Sequence, residues 1–191
     1  MQRVLIVLLV LCAGCAARYE ASPGSITIAP ALEFAIPTGA ELGYSIQTTQ
    51  LITAHFRDQT QVFQAYVDVS PEKVTLIAFD PFGARALTVT ATDDGIHTEA
   101  APIVPALLRP GNILADLAIV YWPTCTVRRG LAGTSASLYD DRNERTISVD
   151  GQAVVHVTYE SPHEDSWPKV AHLHNFAYKY ELDLQSTITG K

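Results

Sequence analysis

The sequence predicts a mainly β protein, an antiparallel meander interrupted once by a helical segment. Three observations lead there. From Tyr44 onward, runs of apolar–polar alternation follow one another at short spacing. The links between them carry turn chemistry: Ser70-Pro71-Glu72-Lys73, Asp93-Asp94-Gly95 and Asp150-Gly151. Between Pro105 and Pro123 the period changes to that of a helix.

At 191 residues the chain fits one domain and can bury a real core. Apolar residues make up 48% and charged residues only 17%, against the usual charged share of about 25%. That balance excludes disorder and a coiled coil, and it leaves room for an unusually apolar interior or cavity. The formal charge of −7 argues against a nucleic-acid partner. After the first dozen positions no apolar run approaches the ~18 residues that a spanning helix needs.

The elements follow in order. Arg3, the apolar stretch Val4–Leu11 and the small residues Ala13-Gly14 before Cys15 form a signal peptide over 1–14. The pattern resembles a bacterial lipoprotein signal, which implies that Cys15 receives lipid and becomes a membrane anchor. Cys12 departs with the signal, and Cys125 remains without a disulfide partner, most simply as a small core residue. Ala16 follows the lipidated cysteine. No Asp stands there, which favours the outer membrane. Residues 15–40, with Pro23, Gly24, Pro30, Pro37 and Gly39, are expected to be a tether draped on the domain, and 41–191 the single domain.

Strands are expected over Tyr44–Phe56, Thr60–Val69, Val74–Phe79, Arg85–Thr92 and Ile96–Glu99. In the helical stretch Ile113, Leu114, Leu117, Ala118 and Tyr121 share a face, with Asn112 as cap and Pro123 as stop. Ile119 and Val120 fall opposite, so the helix is apolar nearly all round and suits a plug across a curved sheet. Strands return at Ser137–Tyr139, Arg145–Val149, Ala153–Tyr159 and Val170–Ile188. The total is about eight or nine.

Catalytic signals are poor. Gly133-Thr134-Ser135-Ala136-Ser137 lacks the second glycine and the strand-to-helix context of a nucleophile elbow. His172-Leu173-His174 puts two imidazoles on one strand face, but without a zinc-type pattern they read as surface or cross-strand packing. No enzyme activity, metal or cofactor is expected. An antiparallel sheet of about eight strands encloses a volume that either fills with side chains or holds one apolar ligand. On the expected parity, Ile113, Leu114, Leu117 and Tyr121 face Phe63, Ala65, Val67, Leu87 and Val89, the candidate lining of such a space. At Asp80-Pro81-Phe82-Gly83, Phe82 stands at a turn tip, either tucked onto the sheet or projecting.

Leu76-Ile77-Ala78-Phe79-Asp80-Pro81-Phe82-Gly83, followed by Ala86-Leu87-Thr88-Val89, resembles the strand–turn–strand of the LolA/LolB lipoprotein-carrier superfamily. Ile113 to Pro123, ending Val120-Tyr121-Trp122-Pro123, and then Tyr159, Trp167 and Asn175 resemble a group of LolB-like outer-membrane lipoproteins often encoded in aryl-polyene gene clusters. The resemblance covers about 44–188 and rests on short motifs. It implies a half-open antiparallel β-barrel with a helical plug and a cavity for acyl chains. In that family the turn's apolar residue assists delivery to the membrane, and Phe82 occupies that place, with Asp80 replacing Asn. The implied function is binding and transfer of an acylated lipid, lipoprotein or aryl-polyene-type lipid at the periplasmic side of the bacterial outer membrane, with a periplasmic LolA-like carrier as a partner. The alternative is a structural or assembly lipoprotein with the same fold and no ligand.

Overall fold

The computed structural model describes residues 24–101, 110–162 and 167–191. Twelve strands are present among them: β1 (Ser25–Ala29), β2 (Leu32–Ala35), β3 (Ile46–Phe56), β4 (Gln59–Ser70), β5 (Lys73–Phe79), β6 (Arg85–Thr92), β7 (Gly95–Ala100), β8 (Ala136–Asp140), β9 (Glu144–Val149), β10 (Gln152–Tyr159), β11 (Val170–Asn175) and β12 (Tyr180–Gly190). Two α-helices, α1 (Pro110–Tyr121) and α2 (Thr124–Gly130), lie between β7 and β8.

β1 and β2 pair as a hairpin, and the other ten strands form one antiparallel sheet in the order β7-β6-β5-β4-β3-β12-β11-β10-β9-β8. It consists of two five-stranded meanders, β3–β7 and β8–β12, joined where β12 docks on β3. β7 and β8 do not pair with each other, so the sheet stays open. It is nonetheless rolled. β6 and β9 are seven positions apart in that order, about 33 Å on a flat sheet. Yet β6 lies beside α1 and the Arg145 side chain of β9 reaches it, a helix only ~18 Å long.

The period-two pattern explains which face turns inward. Ala65, Val67 and Val69 on β4 are buried, and their partners on β5, Ala78, Leu76 and Val74, are buried with them. Leu87, Val89 and Ala91 continue those rungs onto β6. Across the joint, Ile52 pairs with Leu184 and Ala54 with Leu182. Burial of these rungs against α1 and the β1–β2 hairpin is the main stabilising term.

Several elements differ from the sequence expectation. The single strand expected over Val170–Ile188 is two strands, β11 and β12. The chain reverses between them, with Asn175 Oδ1 accepting from the Tyr178 N–H at 2.8 Å and Lys179 at φ 58°. Alternation continues on both sides of such a turn and so hides it. Asn112 is not a cap; it lies inside α1, and its side chain donates to the Thr27 carbonyl. The start of the helical stretch, at 105–109, lies outside the described residues. Pro123 ends α1 but also begins α2, its carbonyl accepting from Thr126 and Val127 N–H. Cys125, expected in the core, is exposed on α2, because Thr126 and Val127 take the buried side of that short helix.

The segment assigned as tether contributes, from residue 24 on, the β1–β2 hairpin, whose Ile28, Leu32 and Phe34 are core residues. Gly130 is required against it. A Cβ there would stand 2.5 Å from Phe34 Cε2 and 2.8 Å from the Ala35 carbonyl oxygen. Among the described residues no helix is long and apolar enough to cross a membrane.

Candidate functional site

The inner face of the rolled sheet, with α1 lying in it, gathers the expected lining residues. Ala65, Val67, Leu87, Val89, Leu114, Leu117 and Tyr121 are all buried in one apolar cluster, and Phe63 and Ile113 pack against it partly exposed. Burial alone does not make them the lining of a cavity. α1 occupies the interior here, with Ala115, Ala118, Ile119 and Val120 also buried.

Polar groups moor the helix, and sequence reasoning picked out none of these contacts. At the C-terminal end of α1 the last carbonyls have no helical partner. Arg145, projecting inward from β9 and 2% exposed, donates through one terminal nitrogen to the carbonyls of Ile119 and Trp122. The Tyr159 hydroxyl on β10 donates to the Val120 carbonyl at 2.9 Å. A cation at a helix C-terminus also meets the negative end of the helix dipole. The remaining Arg145 nitrogens hold Asp140 Oδ2 at 2.8 and 2.7 Å, and the Thr124 hydroxyl donates to the same oxygen. In the middle of α1, Asp116 is fully enclosed, with both carboxyl oxygens within 2.8 Å of the Tyr180 hydroxyl on β12. Burial pushes its pKa up to about 7, and the Tyr180 hydrogen bond only partly opposes that. One signal was available: Arg145 alternates with Ile147 and Val149, so parity alone puts a charge on the buried face.

The second feature is the turn between β5 and β6. Asp80 Oδ1 accepts from the N–H groups of Phe82 (2.9 Å) and Ala84 (2.8 Å), and the Gly83 N–H donates to the Asp80 carbonyl. Gly83 sits at φ 81° with open space where a Cβ would point, so it is the backbone conformation that calls for glycine. These bonds hold Phe82 at the tip, 95% exposed. Of the two arrangements open to a turn-tip Phe, the projecting one is observed.

The remaining candidates sort simply. His172 and His174 stand on the outer face, His172 Nδ1 2.6 Å from Asp183 Oδ1 and His55 Nε2 3.1 Å from Asp183 Oδ2. The His172 hydrogen bond, aided by His55, holds the Asp183 carboxyl below its ordinary range. Among the described residues no three His, Cys, Asp or Glu side chains are placed to hold a metal ion. Arg129 pairs with Glu41. Cys15 lies outside the described residues.

Three comparisons bear on identity. No curated protein matches the chain. Among solved structures, a LolA superfamily protein from Nitrosomonas europaea is similar at 8% identity and a TM-score of 0.41, over 75% of this chain and 84% of that one. A family model described as "Protein of unknown function (DUF3261)" matches residues 47–187, from the second residue of β3 to near the end of β12. That span takes in nearly all of the rolled sheet and both helices, and the chain belongs to this DUF3261 family.

Proposed function

We propose that the protein is a lipid-anchored envelope lipoprotein that takes an acylated lipid, a lipoprotein or an aryl-polyene-type lipid into its rolled sheet and delivers it to the bacterial outer membrane. One observation carries the reading: a large aromatic ring fixed in solvent by a rigid turn, at the end of strands whose inner face is apolar. Exposing a phenylalanine to water gains a folded domain nothing, whereas a ring at a bilayer boundary finds an apolar phase to enter. The signal pattern that ends at Cys15 supplies the membrane address. The acidic charge balance and the want of a nucleophile motif leave binding and transfer as the activity.

The filled interior favours a second reading, an assembly lipoprotein with no ligand. Ala115, Ile119 and Val120 of α1 are sealed against the sheet. The two part at Phe82. Phe82→Glu should leave the melting temperature and the retention of a fluorescent fatty acid near wild type, and reduce transfer to anionic liposomes by about tenfold or more, since a charge resists insertion. Unchanged transfer removes the delivery role from the turn. Protein that neither copurifies with lipid nor binds the fatty acid is the assembly factor.

A further inference from the structure

Beneath the last turn of α1 the core is not apolar. Thr48 and Gln50 project from the inner face of β3, and Ser186 of β12 stands opposite Gln50. Gln50 Nε2 donates to Ser186 Oγ at 3.1 Å, and that oxygen lies 2.8 Å from the Tyr121 hydroxyl. The Tyr121 ring is stacked on Trp167, centroids 3.9 Å apart. All five side chains are at least nine-tenths buried. Two of their polar atoms, Thr48 Oγ1 and Trp167 Nε1, are sealed from solvent and have no hydrogen-bond partner among the described residues. Thr88 Oγ1 is also unpartnered, but it points to the outer face of β6 and takes no part in this seam.

Unanswered buried donors destabilise an empty protein, and Val or Phe would fill the same spaces without that penalty. An acceptor brought to this seam by a ligand would answer both of them. The seam is neutral throughout. The ionic groups nearby are committed elsewhere, Asp116 to Tyr180 and Arg145 to Asp140 and the helix carbonyls. A phosphate or carboxylate there would lose its water with no cation to answer it. A neutral carbonyl needs only donors, and the seam offers a hydroxyl and an indole N–H. Beside it, Val67 and Leu76 continue the Thr48 rung as buried apolar side chains across β4 and β5.

We infer that this seam receives the ester or amide carbonyl of an acyl chain, with Thr48 and Trp167 as donors and the hydrocarbon running along the inner face of β3–β5. The inference rests on the carrier reading and names the chemistry its cargo must present.

The test uses two probes of matched length, methyl decanoate and dodecane, each competing with a fluorescent acyl probe on the full lipoprotein in detergent. Wild type should bind the ester about tenfold tighter than the alkane. Thr48→Val and Trp167→Phe should each lose most of that preference and keep the alkane affinity, and Thr48→Val should melt no lower than wild type. Equal affinity for the two probes in wild type, or a preference that survives Thr48→Val, overturns the seam while leaving the carrier reading standing. If neither probe binds, the carrier reading falls and the inference with it.

Discussion

Arg145 has its donors answered, and that is why an apolar core can hold it. Its guanidinium meets Asp140 Oδ2 and the carbonyls of Trp122 and Ile119, partners 5, 23 and 26 residues away in sequence. Removing one side of such a buried pair leaves an uncompensated charge. Arg145→Met is therefore expected to cost about 3–5 kcal/mol in urea unfolding. A loss under 1 kcal/mol would show that water reaches Asp140 and that the pair is not structural. Alternation in β9 makes the inward position of Arg145 legible from sequence, but the carbonyls it caps exist as a target only once α1 lies in the sheet. Phe82 is the opposite case. Composition reveals the turn, while whether its ring tucks or projects is decided by Asp80 and by the neighbours the sheet does not offer it.

At the scale of an element, α1 shows why an apolar pattern understates what holds a helix. Its apolar residues were legible as a stripe with apolar residues opposite, and burial on several faces follows. Asp116, which breaks that pattern, ties the middle of the helix to Tyr180. Its raised pKa has a sign. The folded state binds the proton more tightly than the unfolded chain, so the stabilisation is fully present below about pH 4 and is lost as pH rises toward 7. The shift from 3.8 to about 7 corresponds to about 4 kcal/mol across that window. Asp183 acts oppositely and lower: its depressed pKa contributes stability that is lost only as pH falls through and below the ordinary carboxylate range. Between pH 5 and 8 the melting temperature should therefore fall with rising pH, and Asp116→Asn should flatten that slope. A variant with the wild-type slope would place the titrating group elsewhere.

For the whole molecule, the decisive contact is β3 against β12. Strands near the two ends of the domain meet in the centre of the sheet, with Leu51 opposite Gln185 and Thr53 opposite Asp183 on the outer face, and Ile52 opposite Leu184 inside. Each meander leaves a strand edge exposed until this joint forms, and an unpaired edge is an aggregation hazard. The proposed lipid anchor at Cys15 belongs to the same scale. Cys15→Ser is expected to move the protein from the membrane fraction to the soluble periplasmic fraction and abolish palmitate labelling. A variant that stays membrane-bound and labelled removes Cys15 as the lipidation site.

The strands from β3 to β10, the inward faces of β4 and β6, the central helix and the β5–β6 turn were legible in the sequence, because each depends on periodicity or turn chemistry within a few residues, whereas the β1–β2 hairpin was read as a tether. The turn hidden between β11 and β12 escaped because its alternation runs through on both sides. Exposed Cys125 escaped because a short helix after Pro123 leaves few positions from which to judge a face. Tertiary structure alone decided the meeting of β3 with β12, the enclosure of Asp116, the partners of Arg145, and the polar seam at Thr48 and Trp167. Those depend on which distant groups are brought to one place, and local pattern carries no information about a partner more than a hundred residues away, as Gln50 and Ser186 are.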